Sequence, residues 1–119
     1  MMDRRQFVRA IQEVVRDAAV TDTIRGMEHP PGRKPAQDLI ERAEWYRTLD
    51  AEQKRRLIST IKSAVVSAIF GFFCVLDGVR AIENGEVDST LELRYVRGDL
   101  LQPLNSPEGD MLHDLFNAD

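Results

Sequence analysis

The chain has 119 residues, of which 43% are hydrophobic and 30% charged, and a formal net charge of −4. That describes one folded domain over residues 1–119 and excludes a disordered chain. A single cysteine, Cys74, excludes an intrachain disulfide and fits a reducing, cytoplasmic compartment. Residues 77–119 hold ten Asp or Glu against three Arg (Arg80, Arg94, Arg97), a balance of −7. Such a segment does not grip a phosphate backbone, which needs neutralising cations, but it suits a basic protein partner.

The N-terminal residues 1–9 show no apolar stretch followed by small residues, so no signal peptide is expected. Asp3 can cap a first helix whose apolar positions are Phe7, Ile11, Val14, Val15, Ala18 and Ala19. That pattern fades at 21–23, and the three prolines and two glycines of residues 26–35 predict a loop. Pro35 suits the first turn of a second helix, with Leu39, Ile40, Ala43, Tyr46 and Leu49 on its apolar face and Trp45 beside it.

Asp50 and Gln53 have capping-box spacing at the start of a third helix. Its apolar stripe runs through Leu57, Ile61, Val65 and Ile69, and towards Leu76 it becomes apolar nearly all round, which predicts a central helix buried on several sides. The stretch Ala64–Leu76 has 13 residues. A membrane span needs roughly 17–25, so a core helix is expected instead. Gly71 inside it implies close packing against another backbone, and the end falls either at Asp77-Gly78 or beyond Glu83. The period then changes to two. Leu91, Leu93 and Tyr95 alternate with Glu92 and Arg94, giving a strand over 90–96 that returns over 100–104 after Arg97-Gly98-Asp99. This hairpin is expected to pack on the central helix or to join another sheet, because two strands alone are marginal. Ser106-Pro107-Glu108 reads as the start of a short last helix carrying Met111, Leu112, Leu115 and Phe116. The fold class is therefore α+β and mainly helical: three N-terminal helices with a long central apolar helix, a β-hairpin and a short C-terminal helix.

Few residues suggest chemistry. Asp110, His113 and Asp114 have the spacing of one side of a helix, where a histidine between carboxylates could bind a metal or act as a general base. A metal needs three or four ligands, and a solvated helix surface accounts for the same residues. His29, Arg33 and Lys34 precede the second helix as a weak anion site. Cys74, amid Phe72, Phe73 and Val75, reads as a small core residue. Ser59, Ser63 and Ser67 are four apart and could line a groove. Asp77 follows the apolar run and, if buried, needs a partner: Arg80, or a turn to cap. No Ser/His/Asp signature, phosphate loop, dinucleotide fingerprint or zinc spacing is present.

Three stretches, 72–79 (FFCVLDGV), 91–96 (LELRYV) and 112–117 (LHDLFN), together resemble a group of small, uncharacterised bacterial proteins that end in such a tail after a β-hairpin. The likeness covers about the last 50 residues. It implies no enzymatic activity, and some members look like immunity partners of bacterial toxins, which implies a protein-binding role. The leading expectation is a non-enzymatic bacterial protein-binding domain, of immunity type, that neutralises a basic toxin through Glu86, Asp88, Glu92, Asp99, Glu108 and Asp110, with no cofactor, nucleic acid or membrane. The alternatives are a metal-dependent enzyme or metal-binding protein using Asp110, His113 and Asp114, and a structural homo-oligomer, such as a homodimer joined through hairpin or helix faces. Direct nucleic-acid binding ranks last, since Arg4, Arg5, Arg9 and Arg16 make only a modest basic face.

Overall fold

The structure, a computed structural model, describes residues 2–84 and 89–118. Helix α1 (Arg4–Ile11) starts at a reciprocal capping box: Asp3 Oδ1 accepts from Gln6 N at 2.8 Å, and Gln6 Oε1 accepts from Asp3 N at 2.9 Å. The chain continues without a break through a π-helical segment (Gln12–Asp17) into α2 (Ala18–Glu28). The wider π turn shifts the phase of every later side chain. Val14 and Val15, expected on the apolar face, are therefore 71% and 43% exposed, and the inward positions of α2 are Val20 and Met27. The helix also runs past residues 21–23 and through Gly26, where a break was expected. Thr23 Oγ1 donates to Ala19 O at 2.7 Å, so this polar residue is accommodated within the helix. Pro30 and Pro31 then end it.

Helix α3 (Gln37–Thr48) buries Ala43 and Tyr46 against α2, with Trp45 outside. Helix α4 (Ala51–Leu76) begins at the expected capping box, Asp50 with Gln53. At about 1.5 Å per residue it is about 39 Å long. It stops at Leu76. Gly78, at φ +79°, turns the backbone left-handed, so that Gly78 N reaches Val75 O and Val79 N reaches Cys74 O.

Two separate clusters form along α4. Its last turns meet α1 and α5 (Leu112–Asn117) in a core of Val8, Phe73, Leu112 and Phe116. Within that core Phe7, Phe73 and Phe116 stack edge to face at 6.1 and 5.5 Å. Its first half rests on α2, and the Lys54 ammonium lies 4.9 Å above the Tyr46 ring. Burial on several sides is not what α4 has: only Gly71, Phe73 and Cys74 are buried. Each half is covered by different elements, and among the described residues neither set reaches round the helix.

The hairpin joins β1 (Arg94–Arg97) to β2 (Leu100–Pro103), with Tyr95 opposite Gln102 and Val96 opposite Leu101. Gly98, at φ +59°, is the first of two connecting residues, as such a tight turn requires. Pairing begins at Arg94 rather than at residue 90, because the Asn105 side chain takes the backbone groups further back. Its Oδ1 accepts from Leu93 N at 2.8 Å, and its Nδ2 donates to Leu91 O at 2.8 Å and to Leu76 O at 2.7 Å. The hairpin does not lie on α4 as expected. It projects, leaving Val96 60% and Leu101 56% exposed.

Residues 106–111 are not helical, although Ser106-Pro107-Glu108 predicts a helix start. The Arg4 guanidinium holds this segment open by donating to Ser106 Oγ at 3.0 Å, to Glu108 O at 3.0 Å and to Asp110 O. Gly71 faces a side chain and not a backbone: a Cβ there would meet the end of the flexible Arg80 side chain, which would have to swing aside. In an Arg80→Ala background, Gly71→Ala is therefore expected to stabilise the protein by about 0.5–1 kcal/mol, the helix-propensity difference. Urea denaturation of the single and double variants measures it, and a destabilised double variant would contradict this account.

Candidate functional site

The most chemically suggestive group lies where α4 ends and α5 begins. Helix α5 has no cap of its own, because its N-cap residue is Met111. Asp77, 35 positions earlier, supplies one: Oδ1 accepts from Leu112 N at 3.0 Å and Oδ2 from His113 N at 2.9 Å. Asp77 Oδ2 also lies 2.6 Å from His113 Nδ1, and the Asp77 side chain is only 3% exposed. A carboxylate only accepts, so Nδ1 carries the proton and donates it to Asp77. The imidazole packs edge-on against Phe70, ring centres 5.6 Å apart. Its second nitrogen, Nε2, lies 3.3 Å from Asp114 Oδ1 at the surface.

A buried carboxylate orienting an imidazole is also how a general base is held. Here Nε2, the atom such a base would use, faces a solvent-exposed carboxylate. Asp77 itself bonds two backbone amides, so its position is that of a cap. Asp77 does cap, but it caps a helix 35 positions on rather than a following turn, and Arg80 lies over Gly71 instead of pairing with Asp77.

The candidate metal set is divided by the fold. His113 and Asp114 stand together, but Asp110 precedes α5 and its Oδ2 meets Arg5 at 2.6 Å. Among the described residues no group of three or more His, Cys, Asp or Glu side chains is placed to hold a metal ion. Of the six acidic residues expected to form a contact surface, Glu86 and Asp88 lie outside the described residues. Glu92 pairs with Arg94, Asp110 pairs with Arg5, the Glu108 carbonyl accepts from Arg4, and Asp99 sits exposed at the hairpin turn. The basic face of α1 thus neutralises part of the acidic segment within the molecule. His29, Arg33 and Lys34 are exposed in the loop before α3, Cys74 is buried, and Ser59, Ser63 and Ser67 border a shallow depression on α4.

One feature lay outside the sequence reading. A cleft of about 810 Å³ opens between the end of α4, the segment after it and the base of the hairpin. Its walls include Val75, Leu76, Ile82, Leu91, Leu93 and Leu101, with Arg80, Glu83, Glu92 and Arg94 among its polar groups. Ile82 (66% exposed), an apolar residue in the connection, was its faint sequence signal, while Leu91 (46%) had its place on the face of the expected strand. Asn105 also lines it and ties its two sides together.

No family model, curated protein or solved structure matches the chain.

If Asp77 is the cap of α5, Asp77→Ala costs about 3 kcal/mol, since it leaves two helix amides and a part-buried imidazole without their acceptor. Asp110→Asn removes an exposed pair and costs less than about 1 kcal/mol. Guanidinium denaturation of both variants compares them, and equal costs would refute the assignment. Asn105→Ala should loosen the hairpin base, giving faster amide hydrogen exchange at Leu93 and Leu104 while the amides of α4 keep their protection.

Proposed function

We propose that this chain is a non-enzymatic protein-binding domain that receives an extended segment of a partner protein at its hairpin end. The observation that carries this reading is the projecting hairpin. It has two strands, no third strand among the described residues, exposed Val96 and Leu101, and the apolar cleft at its base. An isolated hairpin gains stability by adding a strand. A partner strand would take backbone hydrogen bonds from an open edge and place alternate side chains in the cleft.

The finer form is an immunity-type protein that masks a basic toxin surface. It is supported by the acidic balance of residues 77–119 and by the exposed Asp99 at the hairpin turn. The internal pairing of Glu92 and Asp110 reduces the charge available for it, so the apolar contact is the larger part of the proposal.

The test is affinity capture from the native source with the wild-type chain, with Val96→Lys/Leu101→Lys, and with Val14→Lys as a control on the far helix. The reading expects a partner held by the wild type and the control and lost by at least about tenfold in affinity with the hairpin variant. Retention by the hairpin variant would overturn it. A captured partner that ignores both salt and Asp99→Lys would leave protein binding in place and remove the basic-toxin form.

A further inference from the structure

The uncovered side of α4 calls for an explanation separate from the hairpin. No charged residue occurs from Ser63 to Leu76, yet only 17% of the helix's most apolar 18-residue window is buried. Leu57, Ile61, Ala64, Ala68 and Phe72 follow one another at steps of three or four, so they form one stripe along the helix. Ala64 and Ala68 are exposed, Phe72 is 60% exposed, and the others are half-buried. Such spacing, with small residues at the centre, is that of a helix packed closely on another helix.

The area matches a definite occupant. The chain exposes 8748 Å², whereas a folded monomer of 13.6 kDa exposes about 6,600 Å². Its radius of gyration is 18.5 Å, against about 13.5 Å for a compact domain of this length. The excess is about 2,000 Å² per chain, shared between the α4 stripe and the projecting hairpin. Obligate homodimers hide about 1,000–2,500 Å² on each partner, so one further copy is enough to cover it.

A bilayer does not fit the same helix. The final turns of α4 are packed on α1 and α5, and α1 carries exposed Arg5 and Arg9. That leaves the stretch from Ser59 to exposed Phe72, about 21 Å of helix with Lys62 in it, against a hydrocarbon core about 30 Å thick.

We infer that the chain is a two-fold homodimer in solution, with the Ala64–Ala68–Phe72 stripe of α4 packed on the same stripe of a second copy. The contact is isologous, so one substitution acts twice in each dimer. Analytical ultracentrifugation of the full chain over a dilution series, without detergent, tests it. The expected mass is twice the 13.6 kDa of the chain. Ala68→Glu, a substitution at an exposed helical position that favours helix, is expected to give the monomer mass with unchanged helical circular dichroism. Val14→Glu, exposed on the other helix, is expected to keep the dimer.

A wild-type chain that is monomeric at every concentration overturns the inference. So does a dimer indifferent to both Ala68→Glu and Phe72→Ser, or a chain that sediments with lipid vesicles. If Ala68→Glu unfolds the chain, Ala64→Gln provides the same reading at lower cost to the fold. The hairpin reading stands or falls separately: a monomeric Ala68→Glu chain that still captures its partner separates the two surfaces.

Discussion

The contact on which the arrangement depends is the buried Asp77 carboxylate at the N-terminus of α5. It accepts two backbone amides of α5 and the Nδ1–H of His113, and it sits at the residue where α4 ends. Those bonds fix where α5 lies, and α5 brings Leu112 and Phe116 against Phe73 and Val8. A six-residue helix has little stability of its own, because nucleating a helix is costly for so few hydrogen bonds. Its amides at one end are held by Asp77, and its Phe116 carbonyl at the other by the buried Gln12. Gln12 lies four residues after the buried Val8, on the same inward face of the first helix, so that face and the cap of the last helix belong to one construction.

The same economy explains why the polar residues that suggest chemistry do not gather into a site. His113 is held by Asp77 and Phe70, Asp110 by Arg5, and Asn105 by three backbone groups. Each sits on a structural joint. What the molecule leaves unsatisfied is apolar: the stripe on α4, the cleft at its end and one face of the hairpin. Buried apolar area is the main favourable term in folding and association, so surplus apolar surface points to partners more directly than a scattering of exposed charges does.

The two surfaces differ in kind. The α4 stripe is a regular helix face with small residues at its middle, suited to a rigid and permanent contact. The hairpin is an open-edged element that offers backbone hydrogen bonds and a cleft, suited to an extended segment. A homodimer through the first would present two copies of the second, and such a bivalent arrangement raises the effective affinity for a repetitive or dimeric partner without any new contact.

Local chemistry was legible along the chain. The capping pairs Asp3 with Gln6 and Asp50 with Gln53, the helical periods of α3 and α4, the turn at Gly98 and the mainly helical α+β class all follow from interactions between residues a few positions apart. The phase of α2, the role of Asp77, the open segment 106–111 and the exposure of α4 were not legible. Each rests on a partner distant in the chain or on the absence of one. A π turn shifts the apolar face without any distinctive residue, Arg4 opens a segment 102 positions away, and Asp77 caps a helix 35 positions away. Apolar composition alone left the surroundings of α4 undetermined. Periodicity reports that a face wants cover, and only the packing of the other elements reveals whether this chain provides it.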